Sequence, residues 1–294
     1  MKRELCAAAG VIAFAMCGQA EAQQQIEWKQ TLNTPKGLSL PKDVKGELLG
    51  VEIGDSYAEA KAKIQQLMAE SKGTPKPSGS TLDRSSSDMM GESQSGPMTE
   101  TRTVLRFQAP GGQITANYVG KIFLDRKMQG TTQQDIADSI EVRLSAPSSG
   151  HQVIGVRRRL LYFAQADQPR VSELMAVLKA KYKSEPYRVS ETTYRFVFND
   201  GRPFPQNNQF QCRPQYDMTG QLDGIVSAMN PSGQCDVVLD VTFQFGISKD
   251  HIYTADMILS DNERGKLNIG ADVAFFNSYV TNTQGQAKGV APKL

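Results

Sequence analysis

Gly54-Asp55-Ser56 is the stretch whose residue types and spacing come closest to bond-making chemistry. A serine presented behind an apolar extended segment (Leu48, Leu49, Val51, Ile53) becomes a nucleophile when a histidine takes its proton and a carboxylate orients that histidine. The chain holds two histidines, His151 and His251, and Asp250 directly precedes the second. The candidate catalytic pair is therefore Ser56 with His251. A simpler assignment needs no further parts: Asp55-Ser56 caps a helix, with Glu59 at capping-box spacing. Short motifs arise often by chance, so the cap is preferred and no catalytic residue is expected.

Other reactive groups are sparse. The sequence shows no His-x-x-x-His, Walker loop, Ca²⁺ loop or cysteine cluster, so neither a metal nor another cofactor is expected. Asp256, Asp261 and Glu263 could form an acid pair, but such carboxylates are ordinarily solvated. Arg157-Arg158-Arg159 is the most informative charge feature. On a strand, Arg157 and Arg159 face one way and Arg158 the other, beside Val156 and Leu160. Arg157 and Arg159 are thus the candidate binding residues, for an anion or an acidic protein, against the plainer reading of a solvated face.

Periodicity supplies the elements that must position these groups. Tyr57, Ala60, Ile64, Leu67 and Met68 fall on one helical face. Strands are expected at Thr103–Gln108, Gln113–Asp125 (after a Pro110-Gly111-Gly112 turn), Asp138–Ser145 and Val153–Phe163. Asp167-Gln168-Pro169 opens a second helix through Val171, Leu174, Leu178 and Tyr182, ending before Pro186. Tyr194, Phe196 and Phe198 alternate with Arg195 and Val197, and Val237–Phe245 and Ile252–Leu259 form a hairpin. A terminal helix is expected over Ala271–Val280. Both major helices follow an apolar extended segment, begin at an Asp-containing cap and precede strands. The fold class is α+β: antiparallel sheets with helices packed on one face, in two similar helix-plus-sheet units.

The ends and the composition limit the function. Lys2 and Arg3, the apolar run Ala7–Met16 and the Ala20-Glu21-Ala22 site make residues 1–22 a signal peptide. Met16 before Cys17 argues against lipid attachment there. Residues 23–45 are expected as a poorly ordered arm that Trp28 docks on the body, 46–150 as a first unit with a disordered Ser-rich insert at 72–100, 151–282 as a second, and 283–294 as a frayed tail. Outside the leader, Cys212 and Cys235 remain and are expected to form a disulfide worth about 3 kcal/mol. A net charge of +2 across 294 residues is too balanced for nucleic acid or an anionic membrane as main partner. No stretch has the length of a transmembrane helix.

The segment from Gly50 to Ser56, with the helix behind it, resembles the SmpA/OmlA (BamE-type) outer-membrane-assembly lipoproteins and the β-lactamase-inhibitor-protein fold. The ending Lys181-Tyr182-Lys183-Ser184-Glu185-Pro186 looks like the same signature, so the unit is read as tandem. The likeness implies a periplasmic or secreted protein-binding scaffold without catalysis, in envelope maintenance. Its contact surface is expected at Arg157 and Arg159 or at the Cys212–Cys235 loop, and its partner is an unidentified envelope or secreted protein. Gly-Asp-Ser behind a strand is also similar to GDS-type esterases. These carry Asp-x-x-His near the C-terminus, whereas here Ser248 stands three residues before His251. A small-ligand carrier with a pocket between helix and sheet is the third class weighed.

Overall fold

Alternating apolar and polar residues build most of the molecule as one sheet. The computed structural model describes residues 24–71, 97–109, 112–132, 134–204, 212–215, 235–246 and 248–286. The expected leader, most of the 72–100 insert, most of the disulfide-bounded loop and the last eight residues lie outside them. In chain order the strands are β1 (Gln24–Gln25), β2 (Glu47–Leu48), β3 (Val51–Glu52), β4 (Met98–Ala109), β5 (Gly112–Gln129), β6 (Asp135–Leu144), β7 (Val153–Tyr162), β8 (Tyr187–Arg188), β9 (Thr193–Asn199), β10 (Arg202–Pro203), β11 (Val237–Phe245) and β12 (Ile252–Asp261). The helices are α1 (Tyr57–Ala69), α2 (Val171–Tyr182) and α3 (Asn262–Gln286).

Ten strands form a single sheet in the order β1-β5-β6-β7-β12-β11-β9-β10, with β4 on β5 and β8 on β9; apart from the parallel β1–β5 pair, all pairings are antiparallel. The segments 46–150 and 151–282 therefore meet at β7, which pairs with β6 on one side and β12 on the other. One hydrophobic core runs under both: Ala60, Ile64 and Leu67 of α1 and Met175, Leu178 and Tyr182 of α2 bury against the same cluster of strand residues. At about 25 cal/mol per Å² of apolar surface removed from water, this shared layer is the main favourable contribution to folding.

Several boundaries differ from the sequence expectation. β4 begins at Met98, inside the expected insert. α3 runs over 25 residues, starting nine before the expected Ala271. It also departs from the one-face arrangement: Phe276 packs with Ile26 and Ala116 in a cluster separate from the main core. The arm at 23–45 is built into the body from Gln24 onward rather than loose. β1 pairs with β5, Trp28 stacks on Phe275 and meets Tyr118 and Phe276 edge-on, and Leu40 and Val44 are buried. Enough apolar contact exists there to offset the entropy of ordering it. The second helix starts one turn later than expected, on Arg170, whose N–H donates to Glu173. Asp167 instead accepts hydrogen bonds from Thr131 and Thr132 in the β5–β6 connection.

α3 is held by a buried carboxylate. Asp272 accepts from the Ala146 N–H at 3.1 Å and the Ser148 hydroxyl at 2.6 Å. Burial pushes its carboxyl up to about 6, opposed by these donors. A folded-state value above the unfolded one means stability is fully present below about pH 4 and is lost as pH rises toward 6. Asp272→Asn removes this titration, so the stability difference between wild type and variant should narrow by about 2 kcal/mol between pH 4 and pH 7. Urea unfolding across that range measures it, and a pH-independent difference would refute the assignment.

Candidate functional site

Gly54-Asp55-Ser56 lies antiparallel to the start of β7: Gly54 N donates to Val153 O, Val153 N to Asp55 O and Tyr57 N to His151 O, each at 2.8 Å. Each letter of the motif has a structural cause. Gly54 has φ +90°, and a Cβ there would sit 2.9 Å from the Arg264 guanidinium carbon; side-chain-bearing residues are strained in that backbone region. Asp55 is buried, and its carboxylate accepts from Glu52 N (2.8 Å), Lys36 Nζ (2.8 Å) and Lys63 Nζ (2.6 Å). Ser56 is the N-cap of α1. Its oxygen accepts from Glu59 N at 3.3 Å, while its own N–H and hydroxyl donate to Glu59 Oε2 at 2.8 and 2.9 Å.

Among the described residues that geometry gives Ser56 no general base. Lys36, together with the Ser56 donors, holds the Glu59 carboxyl down at about 2, so Glu59 is a poor proton acceptor near neutral pH. His251 stands elsewhere. Ser56 bridges Gln152 at the start of β7, whereas His251 bridges Arg170 beyond the other end of that strand. At about 3.3 Å per residue the two are roughly 30 Å or more apart. His151 is nearer, but its ring stacks on Tyr57 and its Nε2 lies 2.7 Å from Val119 O. A carbonyl only accepts, so that nitrogen carries the proton, and burial lowers the ring's pKa.

The arginine run divides as the strand alternation predicts. Arg158 faces the core with Arg126, and both donate to the buried Asp138, through their Nε atoms at 3.0 and 2.8 Å. Arg157 and Arg159 face the other way. Arg157 grips Asp256 with two hydrogen bonds, 2.9 and 2.6 Å. Arg159 lies in register with Asp256 and has no ion pair with a described residue. Farther along this face Arg195 makes the same two-pronged contact with Asp240, at 2.5 and 2.6 Å. It also donates to Cys212 O. Cys212 and Cys235 lie at disulfide distance, with Cα atoms 5.6 Å apart, and pack with Val197 and Val238.

The three carboxylates weighed as an acid pair each have another partner: Asp256 serves Arg157, Asp261 serves Arg264 and Glu263 accepts from Ser39. Among the described residues no group of three or more metal-ligating side chains occurs, and no helix is long and apolar enough to cross a membrane. A groove of about 530 Å³ beside α2 is lined by charged Arg170, Lys179, Glu185 and Asp250 as well as by Met175 and Tyr194.

Sequence reasoning missed Arg264, which is fully buried. Its Nη1 donates to Thr34 O and Gln152 Oε1, both at 3.0 Å, and its Nη2 to Pro35 O at 2.5 Å. The available signal was Ser260-Asp261-Asn262, a helix-start composition, with Asp261 accepting from Arg264 N at 2.8 Å. Two glycines, Gly265 and Gly270, obscured the helix that follows.

The class defined here is an α+β protein built on one predominantly antiparallel sheet. Comparison with known families, curated proteins and solved structures finds no match to this chain.

Two substitutions check the structural account of the motif. Ser56→Ala should lower unfolding free energy by about 1 kcal/mol, the usual worth of an N-cap, and should leave the rate on chromogenic short-chain esters equal to that of the wild type. Gly54→Ala should cost about 1–3 kcal/mol through backbone strain, and displacement of Arg264 adds to that. Denaturant titrations read both, and a neutral Gly54→Ala would contradict the close approach of Arg264.

Proposed function

We propose that this chain is an exported, non-catalytic protein that binds another protein in the periplasm or outside the cell. Contact is through the sheet face bearing Arg157 and Arg159. The supporting observation is the charge arrangement there. Both carboxylate oxygens of Asp256 are taken by Arg157, so the half-buried Arg159 lies beside a carboxylate that is already committed. An acidic side chain on a partner supplies the missing counter-charge, and such contacts favour steering and specificity over raw affinity. The Cys212–Cys235 pair suits an oxidising compartment, which supports export. Envelope maintenance rests on the likeness to the SmpA/OmlA and β-lactamase-inhibitor-protein domains. The same reading takes the two halves as similar units, each a helix followed by a meander (β4-β5-β6 and β9-β11-β12) ending beside β7.

The rival readings have less support. An esterase lacks a base for Ser56 among the described residues, and the groove beside α2 is open and charged where a small-ligand carrier needs an enclosed, mainly apolar pocket. Photo-crosslinking from position 159 in a periplasmic extract should give a discrete adduct that weakens with added salt. The same probe at Glu173, on the exposed side of α2, should give none. No adduct at 159, or an identical pattern from both positions, would end this reading.

A further inference from the structure

We propose that β4 pairs edge to edge with β4 of a second copy of this chain, about a two-fold axis through Thr101. Among the described residues β4 pairs only with β5. It is 12 residues long, about twice the usual strand, and an unpaired edge of that length is a template for another strand. Proline, lysine and a bulge within the strand, three of the usual protections, are absent from β4. Met98–Ala109 contains neither proline nor lysine. The irregularity near Thr101 places its extra residue, Gly120, on β5, because Thr101 pairs with Lys121 and Arg102 with Val119. The pleat of β4 itself is uninterrupted there, and Val104 is 40% exposed.

The occupant follows from the chemistry of the strand. Met98-Thr99-Glu100-Thr101-Arg102-Thr103-Val104 is a palindrome of side-chain types. Antiparallel pairing centred on Thr101 sets Glu100 against Arg102 and Met98 against Val104 on one face. Thr99 meets Thr103, and Thr101 meets itself, on the other. Every pair occurs twice except the central one, as a two-fold interface requires. Opposite charges, apolar pairs and threonine pairs are each favourable cross-strand neighbours. Moving the axis to Glu100 or Arg102 sets like charge against like. Arg102 is exposed, with a 3.3 Å bond to Asn117; Glu100 is half-buried, and since Tyr57 and Lys61 both hold its Oε1, its Oε2 is the oxygen that meets Arg102 of the second copy. An interface this small is below the standard size, so a reversible dimer with a dissociation constant on the order of micromolar is expected.

Sedimentation equilibrium over roughly 1–300 µM protein should show that monomer–dimer equilibrium. Arg102→Glu places four acids at the interface and Glu100→Arg four bases, so each variant alone should dimerise about tenfold more weakly or worse. An equimolar mixture should recover a heterodimer. Far-UV circular dichroism checks that both fold. Thr101→Cys, in a chain with Cys6→Ser and Cys17→Ser, should form a covalent dimer under mild oxidation, since only this register brings position 101 against itself. A wild type that stays monomeric throughout, a dimer indifferent to both charge variants, a mixture without heterodimer, or a Thr101→Cys chain that does not crosslink would each overturn the proposal.

Discussion

One guanidinium joins parts of the chain that otherwise have little in common. Arg264, fully buried, bonds to Asp261 at the end of β12, to Gln152 before β7, and to the carbonyls of Thr34 and Pro35. A buried cation without partners would be prohibitively costly, so these acceptors must be in place whenever the native core is. The N-terminal arm, the turn into α1, the start of β7 and the start of α3 are thereby tied to one another. Gly54 belongs to the same constraint, since the guanidinium occupies the space a side chain would need. The letters that suggest a catalytic serine are thus required twice over by packing: a glycine to admit Arg264 and a serine to end the helix.

Charge is partitioned between the two sides of the sheet by different means. On the side covered by α1 and α2, Arg126 and Arg158 share Asp138, with Arg126 also donating to Leu67 O at the last turn of α1. Glu70, 3.9 Å from Arg126, supplies a second carboxylate, and the carbonyls of a helix C-terminus favour a cation beside them. A buried cluster of this kind contributes more to register than to net stability. It opposes a one-residue slip of β6 against β5 or β7, which would turn Asp138 away from both arginines.

Much of this was legible in the sequence, and the parts that were not share a cause. Period-two alternation located β6, β7, β9, β11 and β12, because each has one face against the core; in β5 the extra residue Gly120 switches the parity, so Ile122 and Leu124 join the core and Ala116 the separate cluster with Phe276. The Ser56–Glu59 cap was readable because it is wholly local. Arg158 facing inward was readable too, since direction on a strand follows from parity. The identity of its partner was not: Asp138 lies twenty residues away, and pairing depends on which strands become neighbours. Arg264 was illegible for the same reason, with acceptors 230 and 112 residues distant in sequence. The arm was misjudged because its turn-forming residues Pro35, Gly37 and Pro41 suggest disorder, while Ile26, Trp28, Leu40 and Val44 are spaced too irregularly to reveal a buried face.

The other side of the sheet is where lateral pairing does the work that burial does beneath the helices. Antiparallel sheets can leave one face to water, and here β7, β11 and β12 turn half-buried charged residues to that side, while Arg195 of β9 is buried there. Neighbouring strands neutralise them in cross-strand pairs: Arg157 with Asp256 and Arg195 with Asp240. Arg195 extends this lattice to the disulfide by donating to Cys212 O, and Asn262 completes the anchorage with bonds to Arg213 O and Cys235 O at 3.0 and 3.1 Å. Both ends of the loop are therefore held on rigid elements. On a surface organised by reciprocal pairs, a cation whose cross-strand carboxylate is already engaged is an asymmetry that the sheet alone does not resolve. Arg159 occupies that position because the strand alternation sends two arginines to this face of β7 while β12 offers one carboxylate, Asp256, opposite them.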